Sequence, residues 1–429
     1  MLPAGSPLSD WLTWLETLSP KEIDLGLDRV QSVLQRLSIE IPANVLLIAG
    51  TNGKGSCVAM IEVLSRAAGY RVGAYTSPHI IRYNERIVVD GVPAADEEII
   101  AAFERVAEAR HDVPLTYFEY GTLAAMAVFA AQNLDVWVLE VGMGGRLDAS
   151  NVVNPTASLI TNVALDHCDW LGDDVEKIAF EKAGVMRKGV PTVFGSREVP
   201  NALLHHAEAV GAELLLLGRD FDFERGAGRD WSFTGRELKR SSIALPGLQG
   251  AFQVQNAAAV LALLEAAGLG RALDAAVLDQ VLPNLALAGR WQAVSVAGAD
   301  WVLDVAHNPA AATVLAETLA ATRGIGKTWV IIGLLDDKDV EGVTAPLNSQ
   351  VDYWSAVTAN SPRAIGADEL ARRISNCSGR PCRISASLDE AMNYARRHAS
   401  ENDRILLTGS FYLVGPALLE LELYSRPES

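Results

Sequence analysis

Between residues 45 and 195 the chain alternates continuous apolar runs with stretches whose apolar positions repeat at helical spacing. The runs VLLIAG (45–50), RVGAYTS (71–77), DVWVLEVG (135–142), ASLITNV (157–163) and VPTVFG (190–195) predict strands. The segments 56–68, 96–110, 120–132 and 174–187 predict helices between them. Strands that are apolar throughout and separated by helices imply a parallel sheet covered on both faces. Ahead of this region, a start containing Trp11 and Trp14 and then SPKEIDLGLDRVQSVLQRL read as helices, with Ser19 as N-cap and Glu22 at the capping-box position. Residues 213–245 differ: DFDFERG and RDWSFTGRELKR alternate over short spans around a glycine-rich turn, which predicts a small antiparallel hairpin. An alanine-rich helix follows from Ala251 to Ala267. After Gly289-Arg290-Trp291 the α/β rhythm restarts with DWVLDVAH, KTWVIIGLL, VDYWSAVT and DRILLTGS. The expected division is an N-terminal and central domain over 1–290 and a smaller C-terminal α/β domain over 291–429, with the boundary near 288–298.

At 429 residues two or three domains are expected, and 49% apolar with 21% charged residues is the balance of a globular chain. No apolar run reaches the roughly 18–20 residues a membrane span requires, and the N-terminus lacks a secretory pattern, so a cytoplasmic location is expected. Cys57, Cys168, Cys377 and Cys382 fit no zinc spacing and suit buried thiols in a reducing compartment. A net charge of −17 disfavours a nucleic-acid groove. A polyanionic ligand would therefore need a local positive field.

AGTNGKGSC (49–57) supplies one. It follows an apolar strand, turns on glycines and enters a helix, the build of a phosphate-binding loop in which backbone N–H groups, a Lys and a hydroxyl serve phosphate and Mg²⁺. Its spelling departs from G-x-x-x-x-G-K-[ST], because Gly55 separates Lys54 from Ser56 and the loop from Gly50 is two residues short. The alternative is a bare glycine turn on a βα connection. A loop of this kind at the seam of two α/β domains implies a site closed by domain motion.

Glu140, at the carboxyl end of a neighbouring strand, stands where a Mg²⁺ ligand belongs, the alternative being an exposed strand tip. The following GMGGRLDASN could present Arg146 and Asp148. His167, between Asp166 and Asp169 in ALDHCDWLG, is open between metal binding and loop packing, since Mg²⁺ prefers oxygen. Lys182 falls on the helical face marked by Val175, Ile178, Ala179 and Met186. It can snorkel or pair there, or, as a neutral amine, take up CO₂ and become a metal-binding carbamate. In the second half, Asn256 opens the alanine-rich helix, and Arg290 could clamp developing charge on a triphosphate. Asp304 could accept hydrogen bonds from a ribose, and His307 could reach phosphate.

AGTNGKGS, TSPH with RYNER, TYFEYGTL, EVGMGGRLDASN, ALDHCDWLG, EKAGV, GRW, LDVAHNP and GLLDDKD occur in this order, and together they resemble the folylpolyglutamate synthase/dihydrofolate synthase family, a branch of the Mur-type ATP-dependent ligases. The resemblance runs from about residue 20 to 415. It implies a P-loop ATPase domain with a parallel sheet and small β-hairpin region, plus a smaller Rossmann-like C-terminal domain. It also implies an ATP site at Gly53, Lys54, Gly55 and Ser56 with Asn256, Arg290 and Asp304, and His307 in the same motif as Asp304. Two Mg²⁺ ions are implied, held by Ser56, Glu140 and His167, with a carbamate on Lys182; Lys54, Lys182 and His307 are the expected catalytic groups. For the pterin substrate it implies Asp24, Gly26, Leu27 and Asp28, then Thr116, Tyr117, Phe118 and Glu119, then Leu147, Asp148 and Ala149. The segments TYFEYGT and RLDA resemble bacterial bifunctional enzymes that join L-glutamate to dihydropteroate and to reduced folates. A monomer with small-molecule substrates, no nucleic acid and no membrane partner is implied.

Three other readings compete with this one, of which a catalytically dead ATP-binding scaffold is disfavoured because Lys54, Ser56, Glu140 and Lys182 are all present. A cell-wall Mur ligase shares the chemistry but takes a UDP-muramyl substrate, and TYFEYGT and Gly-Lys-Gly-Ser weigh against it. A nucleotide-driven switch would carry an N/T-K-x-D motif at a strand end after the loop; the DDKD at 336–339 lies in the C-terminal half instead.

Overall fold

The computed structural model describes residues 3, 5–19, 24–226, 228–296 and 298–424. The chain forms two compact units. The first takes the residues up to Ala164, Cys168–Pro246 and Gln253–Asn284; the second takes Leu165–His167, Gly247–Phe252 and Leu285 onward.

The first unit is built on an eight-stranded sheet: β1 (Asn44–Ala49), β2 (Val72–Tyr75), β3 (Ile87–Val89), β4 (Val92–Pro93), β5 (Val136–Glu140), β6 (Ala157–Ile160), β7 (Pro191–Phe194) and β8 (Glu213–Leu216). Their spatial order is β4-β3-β2-β5-β1-β6-β7-β8, parallel except for the β2-β3-β4 edge. The central strands are buried throughout, from Val45 to Ala49 and from Val136 to Glu140, which is why they read as unbroken apolar runs. Helices Lys54–Ala67, Asp96–Arg110, Tyr117–Ala130 and Val175–Ala183 accompany them. Trp11 and Trp14, on the helix Leu8–Thr17, pack against Phe103 and Tyr120 respectively.

The 213–245 region differs from expectation in one respect. Glu213–Leu216 is the edge strand of the large sheet, and the rest is a three-stranded antiparallel sheet, β9 (Asp222–Arg225), β10 (Asp230–Thr234) and β11 (Lys239–Ala244), in the order β11-β10-β9. The helix expected across residues 19–37 also needs correction. Asp24–Leu27 is not helical; the helix is Asp28–Leu37, and the chain ahead of it wraps the Arg29 guanidinium, which bonds Asp24. The capping-box residue Glu22 lies outside the described residues.

The second unit carries a six-stranded sheet: β12 (Gln292–Val296), β13 (Ala299–Leu303), β14 (Thr328–Ile332), β15 (Tyr353–Ala356), β16 (Cys382–Ile384) and β17 (Arg404–Thr408). The order is β12-β13-β17-β14-β15-β16, parallel apart from β12. Helices Pro309–Ala321, Val340–Leu347 and Ala367–Ser378 pack in series, around a core that includes Leu315, Val343 and Leu370. Of the cysteines, Cys57 is buried but Cys168 and Cys377 are exposed, contrary to the expected buried thiols. No described helix is long and apolar enough to cross a membrane.

Candidate functional site

The glycine loop leaves β1 at its carboxyl end and enters the helix Lys54–Ala67 through Gly53, whose φ of +86° is a left-handed conformation suited to glycine. A side chain on Gly53 would also meet Asn256 Oδ1 at 3.0 Å, so Asn256 lies directly against the loop. Gly50 is tighter: a Cβ there would overlap Thr161 Oγ1. The loop is strapped to the end of β6. Thr161 Oγ1 and Asn162 Nδ2 both donate to the Asn52 carbonyl (2.6 and 2.9 Å), and the Asn52 N–H donates to Asn162 Oδ1 (3.1 Å). This strap was not legible in the sequence, because it joins residues 110 positions apart with no pattern linking them.

Lys54 Nζ donates to the Gly50 and Thr51 carbonyls at 3.0 and 3.2 Å, which holds its charge over the loop. Ser56 is buried in the first turn, 3.5 Å from Gln253 Nε2, and Gln253 Oε1 in turn accepts from Asn256 Nδ2 at 3.1 Å. Glu140 pairs in register with Ile48 of β1 and is only 4% exposed. Burial and then the charge of Glu140 push the Cys57 thiol well above its usual range, which marks the carboxylate as a close neighbour of this helix. Its Oε2 accepts the Ser77 N–H at 3.1 Å, so the TSPH segment belongs to the same site. The helix N-terminus favours an anionic phosphate, and the buried carboxylate and hydroxyl oxygens beside it are the ligand type of a hard divalent cation.

Lys182 is 3% exposed on the helix Val175–Ala183, beside the fully buried Ile178 and Ala179, as the face pattern implies. Val175, assigned to that face, is exposed at the helix start. The glycine loop after β5 lies against the same helix: Arg146 N–H donates to the Glu181 carbonyl at 2.7 Å, and a Cβ on Gly145 would meet the Lys182 carbonyl.

The side chains expected to face a ligand from GMGGRLDASN are engaged elsewhere. Arg146 pairs with Glu181 at 2.8 Å. Asp148 is buried and accepts from Met143 N, Ser150 N and Ser150 Oγ (2.9, 3.0 and 2.6 Å). Burial raises its carboxyl, while the bonds from Ser150 and Met143 and the charge of Lys54 oppose the rise. Leu147 is half-buried and Ala149 buried. In TYFEYGT, Thr116 and Glu119 form a reciprocal capping box, with Glu119 N–H to Thr116 Oγ1 at 3.2 Å and Thr116 N–H to Glu119 Oε2 at 2.8 Å. Tyr117 and Phe118 are half-buried, with Phe118 against Gly142. Asp24, Gly26 and Leu27 are half-buried and Asp28 is exposed.

The remaining candidates belong to the second unit. His167 has a φ of +51° and its ring is 4.0 Å from Asp166. Asp304 accepts the N–H groups of Trp291 and Ala306, both at 2.9 Å. Burial raises its carboxyl, and the Arg290 guanidinium is the main opposing influence. Arg290 lies over the Phe411 ring at 5.2 Å. His307 Nδ1 bonds the Val305 carbonyl at 2.8 Å. Asp166, named in the sequence only as a flank of His167, anchors part of this cluster by binding Lys338 Nζ and Asn308 Nδ2, each at 2.9 Å.

Two Mur-ligase family descriptions match the chain, the middle domain over residues 48–264 and the glutamate ligase domain over 289–411. The Escherichia coli dihydrofolate synthase/folylpolyglutamate synthase is 40% identical over 412 residues, 96% of this chain and 94% of that protein. This chain belongs to the dihydrofolate synthase/folylpolyglutamate synthase family. The solved structure of E. coli FolC in complex with DHPP and ADP is 38% identical, with a TM-score of 0.91 and 99% coverage of both chains. A bifunctional folylpolyglutamate synthase/dihydrofolate synthase with Mn, AMPPNP and L-glutamate bound is 37% identical, with a TM-score of 0.90, covering 98% of this chain and 99% of that one. In this family member the strapped loop leads directly into Gly-Lys-Gly-Ser, whose extra glycine, Gly55, lies in the first turn of the helix Lys54–Ala67.

Proposed function

We propose that the protein is an ATP-dependent ligase that joins L-glutamate to dihydropteroate, forming dihydrofolate, and to reduced folates, forming folylpolyglutamates. The observation that carries this reading is the strapped glycine loop with Lys54 and Ser56 beside buried Glu140, in a chain whose relatives bear both activities in their names. ATP and a divalent metal are supported by the ADP, AMPPNP and Mn bound to neighbouring structures, and L-glutamate by the complex that contains it.

A carboxylate does not react with an amine unaided. A carboxylate oxygen of the pterin substrate attacks the γ-phosphorus, the bond to ADP breaks, and an acyl phosphate forms. The loop amides and Lys54 hold the phosphates in line for this step. Ser56, Glu140 and His167 would hold Mg²⁺, two ions in this reading, whose charge offsets that of the phosphate oxygens. Asn256, Arg290 and Asp304 are the further ATP contacts, and His307 is the group assigned to reach phosphate. The glutamate nitrogen then attacks the acyl carbon, loses a proton, and phosphate leaves with the former carboxylate oxygen. The segments 24–28, 116–119 and 147–149 form the pterin subsite, largely through backbone and apolar contact, since Thr116, Glu119 and Asp148 spend side-chain atoms within the protein. Lys182 is carbamylated in this reading; its burial on an apolar face supports a modified amine over a surface role.

Isotope transfer tests the mechanism. Dihydropteroate labelled with ¹⁸O in its carboxylate should yield inorganic phosphate carrying one labelled oxygen per turnover. Unlabelled phosphate would rule out the acyl phosphate.

A further inference from the structure

We infer that Arg29 is a positioning residue for the pterin substrate, a latch that holds the loop at 24–28 onto the segment at 116–119. The inference rests on the functional reading above, which gives both segments to one subsite. The Arg29 guanidinium bonds both segments. Arg29 Nη2 donates to Glu119 Oε1 at 2.8 Å, Nη1 lies 3.0 Å from Asp24 Oδ2, and Nη2 also donates to the Asp24 carbonyl. Ninety positions separate Arg29 from Glu119, so the bond fixes the loop to a distant element rather than to its own helix.

The carboxylate of Glu119 is divided between two tasks. One oxygen takes the Thr116 N–H and caps the helix Tyr117–Ala130; the other takes Arg29. That side chain is 6% exposed and Arg29 25%, so the bond is largely shielded from water. Glu119 therefore serves the subsite by anchoring the latch, not by contacting substrate with its carboxylate. Residues 24–27, just ahead of the helix that carries Arg29, are irregular, and Gly26 passes the guanidinium closely enough that a Cβ would lie 4.0 Å from Nη1. A loop of this kind has little to fix its position except the bonds made to it. Arginine suits the task because its planar fork serves a carbonyl and two carboxylates at once, which a lysine point charge cannot reproduce. The ATP loop shares none of these bonds, so the latch acts on one substrate only.

The test is steady-state glutamate-dependent ADP release by full-length wild type, Arg29→Ala, Arg29→Lys, Glu119→Gln and the Arg29→Ala/Glu119→Gln pair, with thermal midpoints alongside. Arg29→Ala should raise KM for dihydropteroate and for tetrahydrofolate about tenfold or more, as loss of a shielded charge-assisted bond implies, with KM for ATP held within about twofold. Arg29→Lys should recover part of the difference, and the double variant should be no worse than the more affected single variant. If Arg29→Ala does not fold, Arg29→Lys and Glu119→Gln carry the same comparison. A pterin KM that stays within about twofold, or pterin and ATP KM values that rise together, would overturn the latch and leave the functional reading standing. Wild type that releases no ADP with either pterin would overturn the functional reading and the latch with it.

Discussion

Lys338 Nζ lies 2.9 Å from Asp166 Oδ1, with both side chains shielded from solvent at 7% and 8% exposure. Asp166 also takes Asn308 Nδ2 at 2.9 Å, and Asn308 Oδ1 caps the helix Pro309–Ala321 through the Ala311 N–H. Removing Lys338 takes the charged donor from the buried Asp166 carboxylate and leaves it the neutral Asn308 amide, with the His307 ring 3.7 Å away. Lys338→Met is expected to cost about 3–5 kcal/mol of stability, and Lys338→Met with Asp166→Leu to recover a large part of it. Asp337, which lies 3.1 Å from Lys338 Nζ, also pairs with Arg363 at 3.2 Å, a partner neither variant removes. Urea unfolding of the full chain makes the comparison, and a double variant as unstable as the single would contradict it.

Lys54→Ala and Glu140→Ala should abolish ADP formation while the far-ultraviolet dichroism stays unchanged. A loss of about a hundredfold or more is the scale expected when a fixed charge is removed from a phosphoryl-transfer site. Wild-type turnover by Lys54→Ala would remove the glycine loop from the reaction, and wild-type turnover by Glu140→Ala would remove that carboxylate from the metal site.

His79 gives the stability a dependence on pH. Its Nδ1 accepts from Arg86 Nε at 2.9 Å, and burial, with the Arg86 charge, lowers its pKa to about 4. A folded-state value below the unfolded one, near 6.5, means the unfolded chain takes up a proton that the folded chain refuses. Stability should therefore fall as pH drops from about 6.5 toward 4, by on the order of 2 kcal/mol between pH 7 and pH 5 from this residue. His79→Gln should flatten that slope in urea titrations, whereas an unchanged slope would assign it to other groups.

The carbamate at Lys182 predicts a ¹³C resonance in protein equilibrated with ¹³C-bicarbonate that is absent from Lys182→Arg. Depleting CO₂ should lower activity and restoring bicarbonate should recover it. A bare amine that is fully active in CO₂-free buffer would contradict the modification.

The central strands were legible because burial on both faces leaves apolar runs such as Val136–Leu139, and Lys182 was legible because a charge breaks such a pattern. The antiparallel β12 and the three-residue β16 were not. Gln292–Val296 leaves every residue at least partly exposed, and Cys382–Ile384 is likewise unburied at an edge, so neither carries a core signature. Within the site, glycine loop, lysine and strand-end carboxylate are local patterns. The polar straps, Thr161 and Asn162 on Asn52, Arg29 on Glu119 and Lys338 on Asp166, join residues roughly 90 to 170 positions apart and leave no periodic trace. Nor does the sequence show that Asp148 and Glu119, expected at the substrate, also give oxygens to the protein itself, Asp148 to Met143 N–H and Ser150, Glu119 to Thr116 N–H and Arg29.

The most direct test of the dual ligase function is glutamate-dependent ADP release with Mg-ATP, comparing dihydropteroate, tetrahydrofolate and a UDP-muramyl peptide, with products weighed by mass spectrometry. The expected result is one glutamate added to dihydropteroate, further glutamates added to tetrahydrofolate, and no reaction with the UDP-sugar. Turnover with the UDP-sugar alone would contradict the substrate assignment, and turnover with only one pterin would contradict the dual activity.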